Sequence, residues 1–304
     1  MGLRKSAEAI PAWVKSPRPD ERKSHQRFLK SSLRILRACL PGDRLKTMVY
    51  LGVIAAPRKL LRRGIGAFYR FDHVYDVLRE FTGAFQPPFS VLEFGTARGY
   101  SFAKLLYATR YLGIEDKVTV HSFDTFQGLP EATNAEDADF MGGKWMKGAY
   151  RGSFEALQAY CEARGYRNFR IHRGLFEDTL TDAALAELHR QPPILIWVDC
   201  DLYTSSATVF EKILPVLRNG CVLYFDDLEI NFASRFTGQA RLIHEINHGK
   251  YGDVELILDT DLSWDSRRVY RFMRYGENVL TYEPRFRRET PPVARPIRDG
   301  SPFL

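Results

Sequence analysis

The sequence predicts an α/β protein with a doubly wound, mostly parallel sheet, and three observations lead there. Short strand-like runs recur at Ser90–Gly95, Val118–Phe123, Phe169–His172, Ile194–Val198 and Cys221–Phe225. Two of them, Ile194–Val198 and Cys221–Phe225, are continuously apolar, the pattern of strands buried on both faces. Helical segments alternate with these runs, which places helices on both faces of a parallel sheet. The notable acidic residues all fall where a strand ends, and in such sheets ligands bind at the carboxyl ends of strands.

In chain order, residues 1–22 are polar, contain proline and are expected to be poorly ordered. Leu29, Leu33, Leu36 and Leu40 then recur at helical spacing, with Lys23, Arg27, Lys30, Arg34 and Arg37 on a neighbouring face. This is a basic amphipathic helix stopped by Pro41-Gly42. Residues Pro57–Gly64 repeat the basic and apolar mixture. From about residue 89 the alternation becomes regular, with helices at Ser101–Tyr111, Phe154–Ala163, Asp182–His189, Ala207–Leu217 and Ala240–Asn247. A long loop, Thr125–Gly148, follows the second strand. Val254–Leu258 and Arg268–Phe272 close the series as strands, the last a candidate for antiparallel pairing. From Gly276 the tail holds five Pro and five Arg in 29 residues and reads as an irregular strap. The expected division is a basic helical extension at 1–80, a main domain at 81–275 and the strap at 276–304.

A chain of 304 residues with 45% apolar content has enough material for one large cored domain with extensions. Met48–Ala56 is too short to cross a bilayer, and no signal-peptide layout precedes it. Cys39, Cys161, Cys200 and Cys221 lack metal-ligand spacing, so reduced thiols in a cytoplasmic protein are expected. Net charge is +7 but uneven: residues 1–70 hold 17 Lys+Arg against 4 Asp+Glu, the rest 27 against 33. Two readings of the basic arm stay open. It packs back on the acidic body, or it meets an anionic partner, with membrane-surface contact through residues 23–63 the main case. Met1–Ser6 fits a short myristoylation pattern that carries no weight alone. No nucleic acid is expected, and a homo-oligomer is left open.

Two carboxylate clusters dominate the chemistry, Asp199 and Asp201 after the fourth strand and Asp226 and Asp227 after the fifth. Buried carboxylates are costly unless a cation or hydrogen bond meets them. Acids at two core strand ends therefore point to a metal, a cationic group or a reacting proton. The competing reading is that they cap the following helices, Asp201 above all near Thr204. Upstream, Glu93-Phe-Gly95-Thr96-Ala-Arg-Gly99-Tyr-Ser101 is a strand and a glycine turn opening a helix. Gly95 and Gly99 let the backbone approach a ligand, and Gly99 lets the helix start tight against the strand. The Gly-x-x-x-Gly spacing disfavours a pyrophosphate cradle. Asp124, ending the second strand, is placed to accept from both ribose hydroxyls of a nucleoside. A phosphate-free nucleoside with a cationic group near Glu93 and Asp199 describes S-adenosylmethionine.

These stretches, with Phe-Asp124-Thr-Phe-Gln-Gly-Leu-Pro-Glu131, Gly174-Leu-Phe-Glu-Asp-Thr-Leu180, Asp199-Cys-Asp-Leu-Tyr203 and Phe-Asp226-Asp227, stand in order. Over residues 89–248 the chain resembles the macrocin O-methyltransferase family of class I S-adenosylmethionine-dependent enzymes. The resemblance implies a Rossmann-like seven-stranded sheet with a reversed final hairpin. It implies cofactor contacts at Glu93, Gly95, Ser101 and Asp124, with adenine near Phe176, and Thr96 and Gly99 of the same glycine turn are candidate cofactor-binding residues beside them. It also implies Mg2+ held by Asp199, Asp226 and Asp227, and a sugar hydroxyl on a natural product as acceptor. The chain departs from the family's pattern at Thr204 and at Gly238-Gln239, where Glu is common.

A sugar hydroxyl is a poor nucleophile, and a bound divalent cation both positions it and lowers its pKa. Asp199 is the expected general base, with Asp201 the alternative for either role. His244 and His248 offer a metal-free base, and Trp145, Tyr150 and Gly142-Gly143 suit a lid over a ring. The expected function is O-methyl transfer to a glycosylated or polyhydroxylated small molecule. The alternatives are a catechol-type acceptor, or a non-catalytic S-adenosylmethionine-binding module acting through its basic arm.

Overall fold

The computed structural model describes residues 42–49, 51–52, 71–140, 145–263 and 268–275. The basic helix expected at 23–40, the segment 57–64, Gly142-Gly143 and the tail from 276 lie outside the described residues.

Seven strands form one sheet: β1 Phe89–Phe94, β2 Val118–Asp124, β3 Phe169–Arg173, β4 Pro193–Val198, β5 Val222–Phe225, β6 Val254–Leu258 and β7 Val269–Arg274. Their order is β3-β2-β1-β4-β5-β7-β6. The first five are parallel, and β7 lies antiparallel to both β5 and β6. Strand order reverses at β1, whose neighbours are β2 and β4, and this is the switch point where such sheets open a crevice.

Register builds the site. Phe123, Phe94, Val198 and Phe225 pair across β2, β1, β4 and β5 in one row. Their side chains share one core with Leu92, Ile196 and Leu223, under the helices Tyr203–Ile213 and Gly238–Asn247. One residue earlier, Ser122, Glu93, Trp197 and Tyr224 form a row on the other face. There Trp197 and Tyr224 join Val91 and Leu195 under the helices Asp72–Ala84 and Tyr100–Leu112. One residue later, Asp124, Gly95, Asp199 and Asp226 leave the sheet side by side.

The helix Asp72–Ala84 runs across the expected boundary at residue 80 and buries Val74, Val77, Leu78 and Phe81. It is clasped to the last strand: Arg271 donates to Glu80 at 2.8 and 2.9 Å and to Asp259 at 2.8 Å. The helix expected from Ala207 begins earlier, at Tyr203, and gives way to a 3-10 turn at Leu214–Val216. The loop after β2 contains a short helix, Ala135–Phe140, that periodicity did not foretell. Among the described residues no helix is long and apolar enough to cross a membrane. Cys161, Cys200 and Cys221 are free and buried.

Candidate active site

At the end of β1, Glu93 is fully buried. Among the described residues neither of its carboxylate oxygens has a hydrogen-bond partner. Burial pushes its carboxyl up to about 8, the Ser101 and Thr96 hydroxyls, near it but outside good hydrogen-bond geometry, offset only part of this, and Asp124 and Asp226 add to it. An uncompensated buried acid of this kind suits a cationic group brought by a ligand.

The turn after β1 is tied to the end of β2. The backbone N–H groups of Thr96 and Ala97 donate to one oxygen of Asp124 at 2.7 and 2.8 Å, and that of Phe126 donates to the other at 2.5 Å. The Thr96 hydroxyl bonds that of Ser122 at 2.6 Å. Asp124 thus shapes the turn through both of its carboxylate oxygens. The glycines need their missing side chains for internal reasons. A Cβ on Gly95, at φ +89°, would lie 1.8 Å from the Asp199 carbonyl, and one on Gly99 2.3 Å from Leu157. At both positions a side chain would meet the chain itself, which leaves the backbone free of Cβ atoms there. Phe176 is half-buried and meets Phe94 edge-on at 5.5 Å.

On the other side of the switch point, carboxylate oxygens of Asp199, Asp226 and Asp227 all lie within 4.8 Å of one another. Burial and then the neighbouring Asp226 and Asp227 charges raise the Asp199 carboxyl well above its ordinary value. Asp227 is raised likewise, by burial and then by Asp201 and Asp226. Three oxygen donors this close repel one another unless protonated or bridged, and hard divalent cations favour such a set. The donor set therefore fits a magnesium-like ion. Surrounding groups hold Asp226 in place. The Tyr224 hydroxyl donates to Asp226 at 2.8 Å, and Arg268 stands 3.9 Å from the same oxygen while pairing with Glu229 at 3.1 Å.

Asp201 takes a different place from Asp199. It has φ +56°, its N–H donates to Asp227 at 3.1 Å, and its carboxylate accepts from the Trp145 indole at 2.9 Å. It supports Asp227 and seats Trp145, which makes it the weaker candidate for base or ligand. It is not the cap of the following helix either. That role falls to Asp137, whose oxygens accept from Tyr203 N at 3.0 Å, from Thr204 N at 3.2 Å and from the Thr204 hydroxyl. Tyr150, half-exposed at φ +60°, has its hydroxyl raised by burial and by the Asp201, Asp227 and Asp199 charges. His244 and His248 sit with ring centroids 3.8 Å apart near the end of their own helix, with His248 bonded to the His244 carbonyl.

Sequence reasoning marked Gln239 only as a departure. In the structure it is buried and bridges two strand ends: its oxygen accepts from Asp227 N at 3.0 Å, and its amide donates to the Val198 carbonyl at 3.2 Å. Glu136 and Asp137 were missed altogether, because a polar pair inside a long loop carries no periodic signal.

Residues 92–228 match the family model described as a methyltransferase domain. Among solved structures, the calicheamicin methyltransferase CalS11 is 20% identical with a TM-score of 0.55, over 90% of this chain and 99% of that one. The O-methyltransferase NovP is 21% identical with a TM-score of 0.50, over 67% of this chain and 79% of that one. No curated protein is significantly similar to the chain. The seven-stranded order with its reversed final pair is thus the Rossmann-like fold that these methyltransferases share, and residues 92–228 within it are similar to a methyltransferase domain.

Proposed function

We propose that the protein transfers a methyl group from S-adenosylmethionine to a hydroxyl of a sugar or polyhydroxylated natural product, with a divalent cation, Mg2+, assisting. The observation that carries this is the convergence of Asp199, Asp226 and Asp227 within 4.8 Å beside the glycine turn. The fold is shared with a calicheamicin methyltransferase and with an O-methyltransferase, which supports a natural-product hydroxyl as acceptor.

When bound, S-adenosylmethionine would supply an electrophilic methyl carbon, its S–C bond breaking to leave a neutral thioether as the O–C bond forms. Asp199, Asp226 and Asp227 would hold the cation, which would supply a Lewis acid easing loss of the hydroxyl proton. Glu93 meets the positive charge of the donor molecule, Asp124 holds the turn through Thr96 and Ala97, and Phe176 offers its ring to the adenine. Gly95 and Gly99 contribute backbone only, and Ser101 stands beside Glu93. Asp199 takes the acceptor proton, since Asp201 is engaged with Trp145 and Asp227. A catechol-type diol is the second reading, favoured by the Trp145 ring standing directly on Asp201.

The test is Asp226→Asn with a panel of nucleotide sugars, glycosides and catechols. Activity should fall about 100-fold or more, the effect expected when a metal ligand is lost. Cofactor affinity, and the melting temperature measured without the divalent cation, should hold. Wild-type turnover undiminished by a chelator would remove the cation from the reaction.

A further inference from the structure

We propose that the dipeptide Glu136–Asp137, in the loop after β2, is the positioning element that assembles the acidic centre. One residue fixes the turn after β4 and the other the segment after β5. This rests on the reading that Asp199, Asp226 and Asp227 hold a divalent cation.

The geometry is specific. Asn134 caps the short helix, its side chain accepting from Asp137 N at 2.7 Å, and so presents Glu136 and Asp137 from the first turn. Asp137, 1% exposed, accepts from the N–H groups of Tyr203 and Thr204 and from the Thr204 hydroxyl. The helix Tyr203–Ile213 has no cap from its own N-cap residue, Leu202. The borrowed carboxylate satisfies its orphan donors and suits its positive end. This anchors the stretch that runs from Asp199 to Leu202. Glu136 accepts from Gly238 N at 2.8 Å and pairs with Arg241. The helix Gly238–Asn247 likewise lacks a side-chain cap of its own. Its second residue is Gln239, which holds Asp227 N and the Val198 carbonyl. Two adjacent acids thus seat the two helices, one beginning four residues after Asp199 and the other holding Asp227 N through Gln239. Thr96, Ala97, Ser122 and Asp124 bond among themselves and to Phe126, away from this dipeptide, so the cofactor end is held separately.

The experiment measures Mn2+ affinity by electron paramagnetic resonance and S-adenosylhomocysteine affinity by calorimetry on the full chain. For Asp137→Ala the Mn2+ Kd should rise about 10- to 100-fold, the range for loss of a residue that orients metal ligands. The S-adenosylhomocysteine Kd should stay within about twofold, and Asp137→Asn should recover part of the loss. Should Asp137→Ala not fold, Thr204→Val removes one of the same bonds, and a several-fold rise in Mn2+ Kd with unchanged S-adenosylhomocysteine Kd is expected. Folded variants that bind Mn2+ as the wild type does, or that lose both ligands in parallel, would overturn the assignment. A wild-type chain that binds no Mn2+ would sink the cation reading and this inference with it.

Discussion

Glu93 lies between Ser122 and Trp197 in its row, and its carboxyl titrates near 8 instead of 4.5. Between these two values the folded chain holds a proton that the unfolded chain has lost, so stability falls as pH rises through that window. The full effect is roughly 5 kcal/mol. Urea titrations at pH 5 and pH 9 should show a smaller loss in Glu93→Gln than in the wild type, the remainder belonging to the raised carboxyls of Asp199 and Asp227; an equal loss in both would place it elsewhere. A cationic ligand arriving at Glu93 expels the same proton. Calorimetry of S-adenosylmethionine, which carries the sulfonium charge, at pH 7 in buffers of different ionisation heat should find about one proton released by the wild type and none by Glu93→Gln. At this scale the sequence told which acids end strands, because Asp after an apolar run is a local signal. It did not tell that Asp124 folds three backbone N–H groups onto itself, or that Asp201 turns left-handed toward Trp145. Both depend on how the loops come back, which neighbours in sequence do not encode.

Among elements, the strands were legible to within a residue or two, since burial on both faces leaves an apolar run. The helix at Tyr203 started earlier than its periodicity suggested because its first-turn donors are met by Asp137, far upstream. Long-range capping of this kind leaves no pattern around Tyr203 itself. The clasp between Arg271, Glu80 and Asp259 was equally invisible, joining residues that lie 191 positions apart at its widest. Arg271→Leu leaves Glu80 and Asp259, each mostly buried, without their cation. The expected cost is about 3 kcal/mol, read as a lower urea midpoint at unchanged slope. A loss below about 1 kcal/mol would mean that solvent replaces the clasp.

For the molecule as a whole, Glu93, Asp199, Asp201, Asp226 and Asp227 gather at one end of the sheet, with Arg268 as a nearby counter-charge. A divalent cation should therefore stabilise the fold by mass action, about 2.7 kcal/mol at a hundred times its Kd. Melting curves in Mg2+ against NaCl of equal ionic strength should differ by about 5–10 °C. Asp226→Asn should abolish most of that difference. The strand order places the last strand of the sheet, β7, between β5 and β6. On the ribosome, β5 and β6 emerge before the piece that joins them. Until β7 arrives, β5 shows an open ladder of N–H and C=O groups and β6 has no sheet to enter. A nascent chain paused there is a template for its neighbours on the polysome, and translation of Val269–Arg274 ends the hazard.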